Sequence, residues 1–217
     1  MMVKNKLKAK LHKWKEKIGN KLFAGKRRKK LNNTDFSIIC NNCWGGFVYR
    51  YFGLPYLSPT VGLYFYSEDF IKFAKDIRKY ITMPITIIPA KNSKHYEDLK
   101  RKGQENIPVG ILDDVEIVFL HYKTPEEAKE KWTRRCKRVN LNNIVLKYSY
   151  MNDPNEECLK EFDAIPIKKK IMFVKNKEQE TKYQCARYYP GYENCKDIRN
   201  DTDQFAKYVN LADLIND

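Results

Sequence analysis

The stretch FSIICNNCWGGFVYRYFG, residues 36–53, contains the transition that decides the fold class. Its first five residues form a short apolar run, which is typical of a buried strand. Residues 43–52 follow with a helical pattern, and the asparagines and glycines around the junction mark a tight turn. A strand that leads directly into a helix is the repeating unit of α/β proteins.

The rest of the chain repeats this alternation of strands and helices. Short apolar runs predict further strands at residues 84–88, 109–112, 115–121, 143–148, 169–174 and 182–187. Helical periodicity, in several cases preceded by a capping residue, predicts helices at residues 67–80, 124–139, 153–163 and 203–215. We therefore expect a single α/β domain at residues 34–217, with a mostly parallel or mixed sheet flanked by helices on both faces.

The positive charge is concentrated in an N-terminal tail, residues 1–33. The chain has a formal net charge of +15, and residues 1–32 carry +12 of it, so the other 185 residues carry only +3. A nucleic-acid-binding domain is expected to carry its basic residues on the folded part. The distribution therefore argues against nucleic acid as a partner.

The tail has the pattern of a basic amphipathic helix. Its apolar residues form one stripe, and lysines cover the rest of the surface. Such a helix suits the surface of an anionic membrane. The residues expected to contact the membrane are Lys10, Trp14, Lys17, Arg27 and Arg28. The stripe could also pack on its own domain or on a second copy of the chain.

Composition also sets the expected location and redox state. No run approaches the roughly 20 apolar residues that span a bilayer, and the lysine-rich N-terminus does not resemble a signal peptide. We expect a cytoplasmic protein held peripherally at the inner face of the cell membrane. In that compartment, six cysteines do not predict a disulfide framework.

The pair Cys40 and Cys43 allows four interpretations. A C-x-x-C that opens a helix can be a thioredoxin-like redox pair, and one such pair can be half of a zinc site. Cys43 can instead be a nucleophile whose thiolate is stabilised by the helix N-terminus. In the fourth interpretation both cysteines are structural and the asparagines form a turn. The remaining cysteines lack zinc-knuckle spacing, so we expect no metal.

The nucleophile interpretation requires a base, and His121 at the end of a predicted strand is the candidate. In parallel sheets, function lies at the carboxyl ends of the strands, where Cys43 and His121 are both expected. The glycines would let a substrate approach, and the asparagines would donate to an oxyanion. The substrate-binding candidates at this edge are Asn41, Asn42, Gly45 and Gly46.

Four further polar residues are candidates for the site. Asp114 would orient His121, and Asp113 would bind a sugar or a cation, although two aspartates between strands usually form a turn. Ser58 is a rival nucleophile, although a Ser-Pro turn is the better explanation of this residue. Arg134 lies in a basic stretch, residues 131–138, that either holds phosphates of a nucleotide or coenzyme A or faces solvent.

Three segments of the chain resemble the bacterial family called domain of unknown function 1919. They are IICNNCWGGFVYRYFGLPYLSPTVGLYFYSEDFIKFAKDIRKYI, PVGILDDVEIVFLHYKTPEEAKEKWTRRCKRVN and LKEFDAIPIKKKIMFV, and the resemblance covers roughly residues 35–215. Members are commonly described as exopolysaccharide, capsule or lipopolysaccharide biosynthesis proteins, with an α/β fold. Serine often stands there in place of Cys40, which implies that Cys43 is the residue that matters.

The resemblance implies a context in surface polysaccharide synthesis and no particular reaction. Our leading hypothesis within that context is a transferase that modifies a lipid-linked or nucleotide-linked glycan. Its concrete form is O-acyl transfer with coenzyme A, by analogy with capsule acetyltransferases that carry Asn-Cys at a strand-to-helix junction. Cys43 would be the nucleophile or contact the acyl group, and His121 would be the general base. The alternatives are a glycosyl or phosphoryl transferase that uses Asp113 and Asp114, and a non-catalytic module that binds the glycan machinery.

Overall fold

The computed structural model of the chain describes residues 19, 20, 22–202 and 205–217. Most of the predicted amphipathic helix, including Lys10, Trp14 and Lys17, lies outside the described residues. Within them, residues 22–28 are helical, and no helix has the length and apolar character needed to cross a membrane.

The described residues form one parallel and one antiparallel sheet. The strands are β1 (Ser37–Cys40), β2 (Thr86–Pro89), β3 (Pro108–Leu112), β4 (Val115–Val118), β5 (Ile144–Ser149), β6 (Lys170–Val174) and β7 (Ala186–Tyr188). The parallel sheet has the strand order β1-β5-β6-β7, and the antiparallel sheet has the order β2-β3-β4. The predicted α/β class is confirmed, with the strands divided between two sheets.

The helices surround both sheets. They are α1 (Trp44–Phe52), α2 (Ser67–Lys75), α3 (Ile77–Thr82), α4 (Tyr96–Arg101), α5 (Pro125–Cys136), α6 (Glu156–Ala164), α7 (Lys177–Lys182), α8 (Phe205–Tyr208) and α9 (Leu211–Asn216). Thr124 caps α5 as its sequence predicts, since its side chain accepts from the Glu127 N–H. Asn155 caps α6 in the same way, so that helix begins later than residue 153.

Both faces of the parallel sheet are buried. On one face, Leu146 of the central strand β5 joins a cluster with Phe70 of α2 and Phe162 of α6. On the other face, Val145 packs in a cluster with Trp44 of α1. Successive residues of a strand point to opposite faces, which explains why this strand is apolar along most of its length.

Strands β3 and β4 are antiparallel because the connection between them is short. Only Asp113 and Asp114 separate β3 from β4, and a two-residue link can join only antiparallel neighbours. Asp113 has a φ of 56°, the left-handed conformation that tight hairpin turns require. The pair that was considered for sugar or cation binding therefore forms a hairpin turn.

An extended segment links the two sheets. Tyr64 exchanges two backbone hydrogen bonds with Val118 of β4, both of 2.9 Å. The next residue, Phe65, donates its N–H to the carbonyl of Asn41, which follows β1. The strand β4 ends at Val118, earlier than predicted, because the chain then turns through residues 119–122 and places His121 in that turn.

The end of the tail packs on the domain. Ala24 is buried, and the Arg27 guanidinium lies 3.8 Å from the centre of the Tyr51 ring. Arg28 donates to the carbonyl of Gly53 at 3.1 Å. Two arginines that were expected to contact a membrane are therefore engaged with the end of α1.

The N-terminal segment also meets the last helix. The Asn216 side chain accepts from the Asn32 N–H at 2.8 Å and donates to the Lys30 carbonyl at 2.9 Å. These two bonds connect residues more than 180 positions apart in the sequence.

Candidate functional site

A cavity of about 650 Å³ lies where the parallel strands end. Its walls follow the carboxyl ends of β1, β4 and β5, the end of α4, and the segment 197–202. The lining residues are Asn42, Cys43, Phe47, Tyr64, Arg101, Lys102, Gln104, Leu120, His121, Met151, Asn152, Asp197, Arg199, Asp201 and Thr202. Its volume falls within the range of small-molecule sites, and its position is where α/β proteins bind ligands.

Cys43 and His121, 78 residues apart in sequence, both line this cavity. The Cys43 thiol lies 3.7 Å from the carbonyl oxygen of Leu63. The backbone N–H of His121 donates to the carbonyl of Gly62, the residue before Leu63, at 3.0 Å. Cys43 and His121 therefore contact the carbonyl groups of two successive residues in the segment that links the sheets.

The Cys43 thiol is not activated in this arrangement. Burial raises its pKa to about 12, and the negative charge of Asp201 acts in the same direction. Burial therefore opposes the predicted stabilisation of a thiolate at the N-terminus of α1. The thiol is neutral at physiological pH.

The two asparagines are already hydrogen-bonded. Asn41 donates to the carbonyl of Ser149 at 2.8 Å and accepts from the same residue's N–H at 3.0 Å, so it ties β1 to β5. Asn42 donates to Asp201 and accepts from Lys147 and from the Trp44 N–H. Asn42 lines the cavity and Asn41 does not, and both amides are engaged with other groups of the protein.

The two glycines allow the helix to pack closely on the strands. A Cβ atom on Gly45 would lie 3.1 Å from Ile38 and 3.2 Å from the sulfur of Cys40. A Cβ atom on Gly46 would lie 3.0 Å from Val61. Both surroundings are protein side chains, so the glycines serve the α1 packing and not the approach of a substrate.

A fully buried ion pair lies beneath the cavity. The Lys147 ammonium of β5 contacts the Asp201 carboxylate and donates to Ser149 at 2.5 Å, and all three side chains are buried. Asn42 donates to the same carboxylate at 2.9 Å. The prediction from sequence missed this network, although a single lysine inside the apolar run IVLKYS is a visible signal, since lysine is almost never buried unless paired.

Three cations line the cavity: Arg101 is the last residue of α4, Lys102 follows it, and Arg199 lies in the segment 197–202 that also carries Asp201. Lys102 pairs with Asp98 at 2.7 Å, and Arg101 contacts the same carboxylate. No sequence pattern marks these residues, because each lies in an ordinary polar stretch of the sequence.

The other predicted site residues lie outside the cavity lining. Asp114 pairs with Lys72 at 3.0 Å and accepts from Tyr80, at the opposite end of β4 from His121, so it cannot orient that histidine. Asp113 pairs with Lys79 at 2.9 Å in the hairpin turn.

Ser58 and Arg134 also have structural explanations. Ser58 is buried and accepts from the N–H of Thr60 at 3.1 Å, which is the geometry of a turn. Arg134 pairs with Glu130 one helical turn away on the exposed side of α5. Its neighbour Arg135 is buried and donates to the Val61 carbonyl at 2.9 Å, which helps to hold the segment that links the sheets.

The described residues contain no group of three or more histidine, cysteine or acidic side chains placed to hold a metal ion. Cys40 is a core residue whose sulfur lies 3.0 Å from the carbonyl oxygen of Asn42 and accepts from the N–H of Gly45 at 3.3 Å. Burial raises its pKa as well.

The structure is that of an α/β protein with a candidate ligand cavity at the ends of its parallel strands. The chain belongs to the family described as domain of unknown function DUF1919, whose model matches residues 14–216. It is also similar to a protein of Haemophilus influenzae described as uncharacterized, with 31% identity over 166 residues, which is 76% of this chain and 73% of the relative. The resemblance noted in the sequence is thereby confirmed.

Replacing Lys147 with Met should destabilise the fold strongly. The change leaves the Asp201 carboxylate buried without its cation, which costs about 3–5 kcal/mol. The double variant Lys147→Met/Asp201→Asn should recover a large part of that loss in urea denaturation. The same substitution at Lys79, which pairs with Asp113 at the surface, serves as the control and should have a much smaller effect. Equal losses at both positions would contradict the assignment of the buried pair.

Iodoacetamide labelling should show a slow Cys43 with a steep pH dependence. Because its pKa is raised to about 12, its rate should rise about tenfold for each pH unit between pH 7 and 10 without a plateau. Cys195, which is exposed, is the internal control and should react first. Mass spectrometry of each cysteine gives the rates, and a plateau for Cys43 below pH 8 would show an activated thiolate instead.

Proposed function

We propose that this protein is a transferase of surface polysaccharide biosynthesis that moves an acyl group onto a glycan hydroxyl in the strand-end cavity. The observation that carries the proposal is that His121 and Cys43 line the same cavity, where they contact the carbonyl groups of the successive residues Gly62 and Leu63. The polysaccharide context rests on the family resemblance.

The raised pKa of Cys43 favours direct transfer over a thiolate intermediate. His121 takes the proton of the glycan hydroxyl as its oxygen attacks the carbonyl carbon of a thioester donor. The carbon–sulfur bond then breaks, and the leaving thiolate of the donor receives the proton from His121. Cys43 contacts the acyl group as a neutral thiol. The proposed donor is a coenzyme A thioester.

The cavity walls suit a glycan and an acyl chain. Phe47, Leu120 and Met151 supply apolar surface, and Phe47 follows Cys43 by one helical turn, so both point to the same side of α1. Gln104 supplies an amide nitrogen for sugar hydroxyls, and its oxygen accepts from the Tyr64 hydroxyl. Ligand cavities combine these two kinds of surface, apolar area for affinity and a few polar groups for orientation.

A peripheral position at the inner face of the cell membrane is part of the proposal. Leu22 and Phe23 expose 69% and 53% of their surface, although both are large and apolar. Lysines 26, 29 and 30 follow them in the sequence. Exposed apolar side chains beside lysines favour an anionic lipid surface, where each nearby basic residue adds about 1 kcal/mol.

Replacing His121 with Gln should abolish acyl transfer and leave the fold intact. Glutamine retains a polar side chain at this exposed position but cannot serve as the base, and loss of general base catalysis lowers the rate by about 10²–10⁴-fold. The measurement is the acyl content of surface polysaccharide, by mass spectrometry, in a producing strain whose own copy is replaced by the variant.

The matched control is Arg134→Ala, an exposed polar residue outside the cavity, which should leave the acyl content unchanged. Full acylation with His121→Gln would contradict the catalytic proposal. Polysaccharide that is normal even when the whole protein is absent would favour a role outside glycan transfer.

The double variant Leu22→Ser/Phe23→Ser should weaken membrane binding. Both side chains are exposed, so the fold should be unaffected, and the loss of their apolar area should reduce vesicle binding by about tenfold or more. Sedimentation with vesicles containing phosphatidylserine measures the effect, with pure phosphatidylcholine vesicles as the control. Unchanged sedimentation would contradict the role of these two residues.

A further inference from the structure

The rim of the cavity carries positive charge that its own carboxylates do not neutralise. Arg101 and Lys102 share one carboxylate, Asp98, which also accepts from the Tyr66 hydroxyl at 2.7 Å. These contacts lower the pKa of Asp98, so the carboxylate is ionised and its capacity as an acceptor is used. The side chain of Arg101 is 72% exposed and can contact a ligand as well as Asp98.

Arg199 supplies a cation from a different part of the chain. It lines the same cavity, is exposed, and makes no salt bridge with any carboxylate in the residues that the structure describes. The nearest acidic residues in the sequence have other partners. Asp197 accepts from the Asn152 N–H at 3.0 Å, and Asp201 is neutralised by Lys147. The guanidinium of Arg199 is therefore available for an anion.

Two elements that are distant in sequence thus present cations to one cavity. The C-terminal end of α4 places Arg101 and Lys102, and the segment held down by Asp201 places Arg199. A guanidinium offers a planar fork of donors that matches phosphate oxygens, and an ammonium adds a point charge. A diphosphate has enough oxygens and charge to contact all three cations.

We infer that Arg101, Lys102 and Arg199 form a diphosphate-binding rim, and that a substrate of this cavity carries a diphosphate group. This inference rests on the proposed function, in that the cavity is taken as the substrate site. Coenzyme A, nucleotide-linked sugars and lipid-linked glycans all contain a diphosphate, which is the chemistry that the rim recognises. When the diphosphate is bound at the rim, the reacting part of the substrate lies against the apolar wall and His121.

The test is direct binding to the full-length chain without turnover. Inorganic pyrophosphate is titrated calorimetrically into the wild type and into the variants Arg199→Ala, Arg101→Ala and Arg134→Ala. We expect saturable binding that is weakened about tenfold by loss of either rim arginine, since each contributes a charge-assisted contact. Arg134→Ala removes the same charge outside the cavity and should bind like the wild type. This control accounts for the general attraction of anions to a chain of net charge +15.

Three further titrations identify the source of the diphosphate. Coenzyme A, uridine diphosphate and farnesyl diphosphate represent the acyl donor, the nucleotide-linked sugar and the lipid-linked glycan. The one that binds more tightly than pyrophosphate, and loses that affinity in Arg199→Ala, names the carrier. If none of the three binds as tightly as pyrophosphate, the rim holds free anions only and the inference about the substrate fails.

Two outcomes overturn the rim itself. One is the absence of saturable pyrophosphate binding to the wild type, and the other is an equal loss of affinity in Arg199→Ala and Arg134→Ala. The variant His121→Gln should bind pyrophosphate as the wild type does, because His121 is placed at the reacting group. A failure of acyl transfer therefore leaves the binding result intact, and a failure of binding leaves the acylation experiment unaffected.

Discussion

The buried contact between Lys147 and Asp201 is the constraint on which the candidate site depends. It fixes the segment 197–202 against the central strand of the parallel sheet, although that segment comes after the last strand in the sequence. Because the ammonium and the carboxylate are both excluded from water, neither can leave without exposing an unpaired charge to the protein interior. The cavity wall that carries Arg199 is held in place by this pair, and the Asn42 amide joins the same network from the β1 side.

Burial is the main cause of the raised pKa of Cys43, the cysteine beside this pair. The negative charge of Asp201 adds to the effect, since it disfavours a second negative charge nearby. Under the proposed function, the chemistry of the site therefore falls to groups that function without a preformed thiolate. A histidine in an exposed turn, facing a cavity with a cationic rim, meets that requirement. The polar residues around Cys43 thus hold the cavity wall in place, and Asp201 among them helps to keep the thiol neutral.

The sequence predicted the fold class because β1 and β5 are short apolar runs that are each followed by a helix, and Asn155 marks the start of the helix after β5. It predicted that Cys43 and His121 lie at strand ends, and the structure places them in one cavity. It did not predict the second sheet, since the hairpin at Asp113 and Asp114 was also compatible with a binding site. Arg199 and Asp201 could not be found from the sequence, because their roles arise only when the chain returns to the sheet edge. Arg134 was a candidate on charge alone, and its helix partner Glu130 accounts for it.

The bonds of Asn216 to Lys30 and Asn32 place the two ends of the folded region side by side. If the tail lies on a membrane, the C-terminal helix lies next to that membrane as well, since the two are connected through one side chain. An affinity tag or fluorescent protein fused after residue 217 would then lie beside the bilayer and obstruct the contact of the basic segment with lipid. Such a fusion would change the approach of the protein to lipid even though it touches no residue of the cavity. The surface on the far side of the domain from Asn216 is the better place for a label.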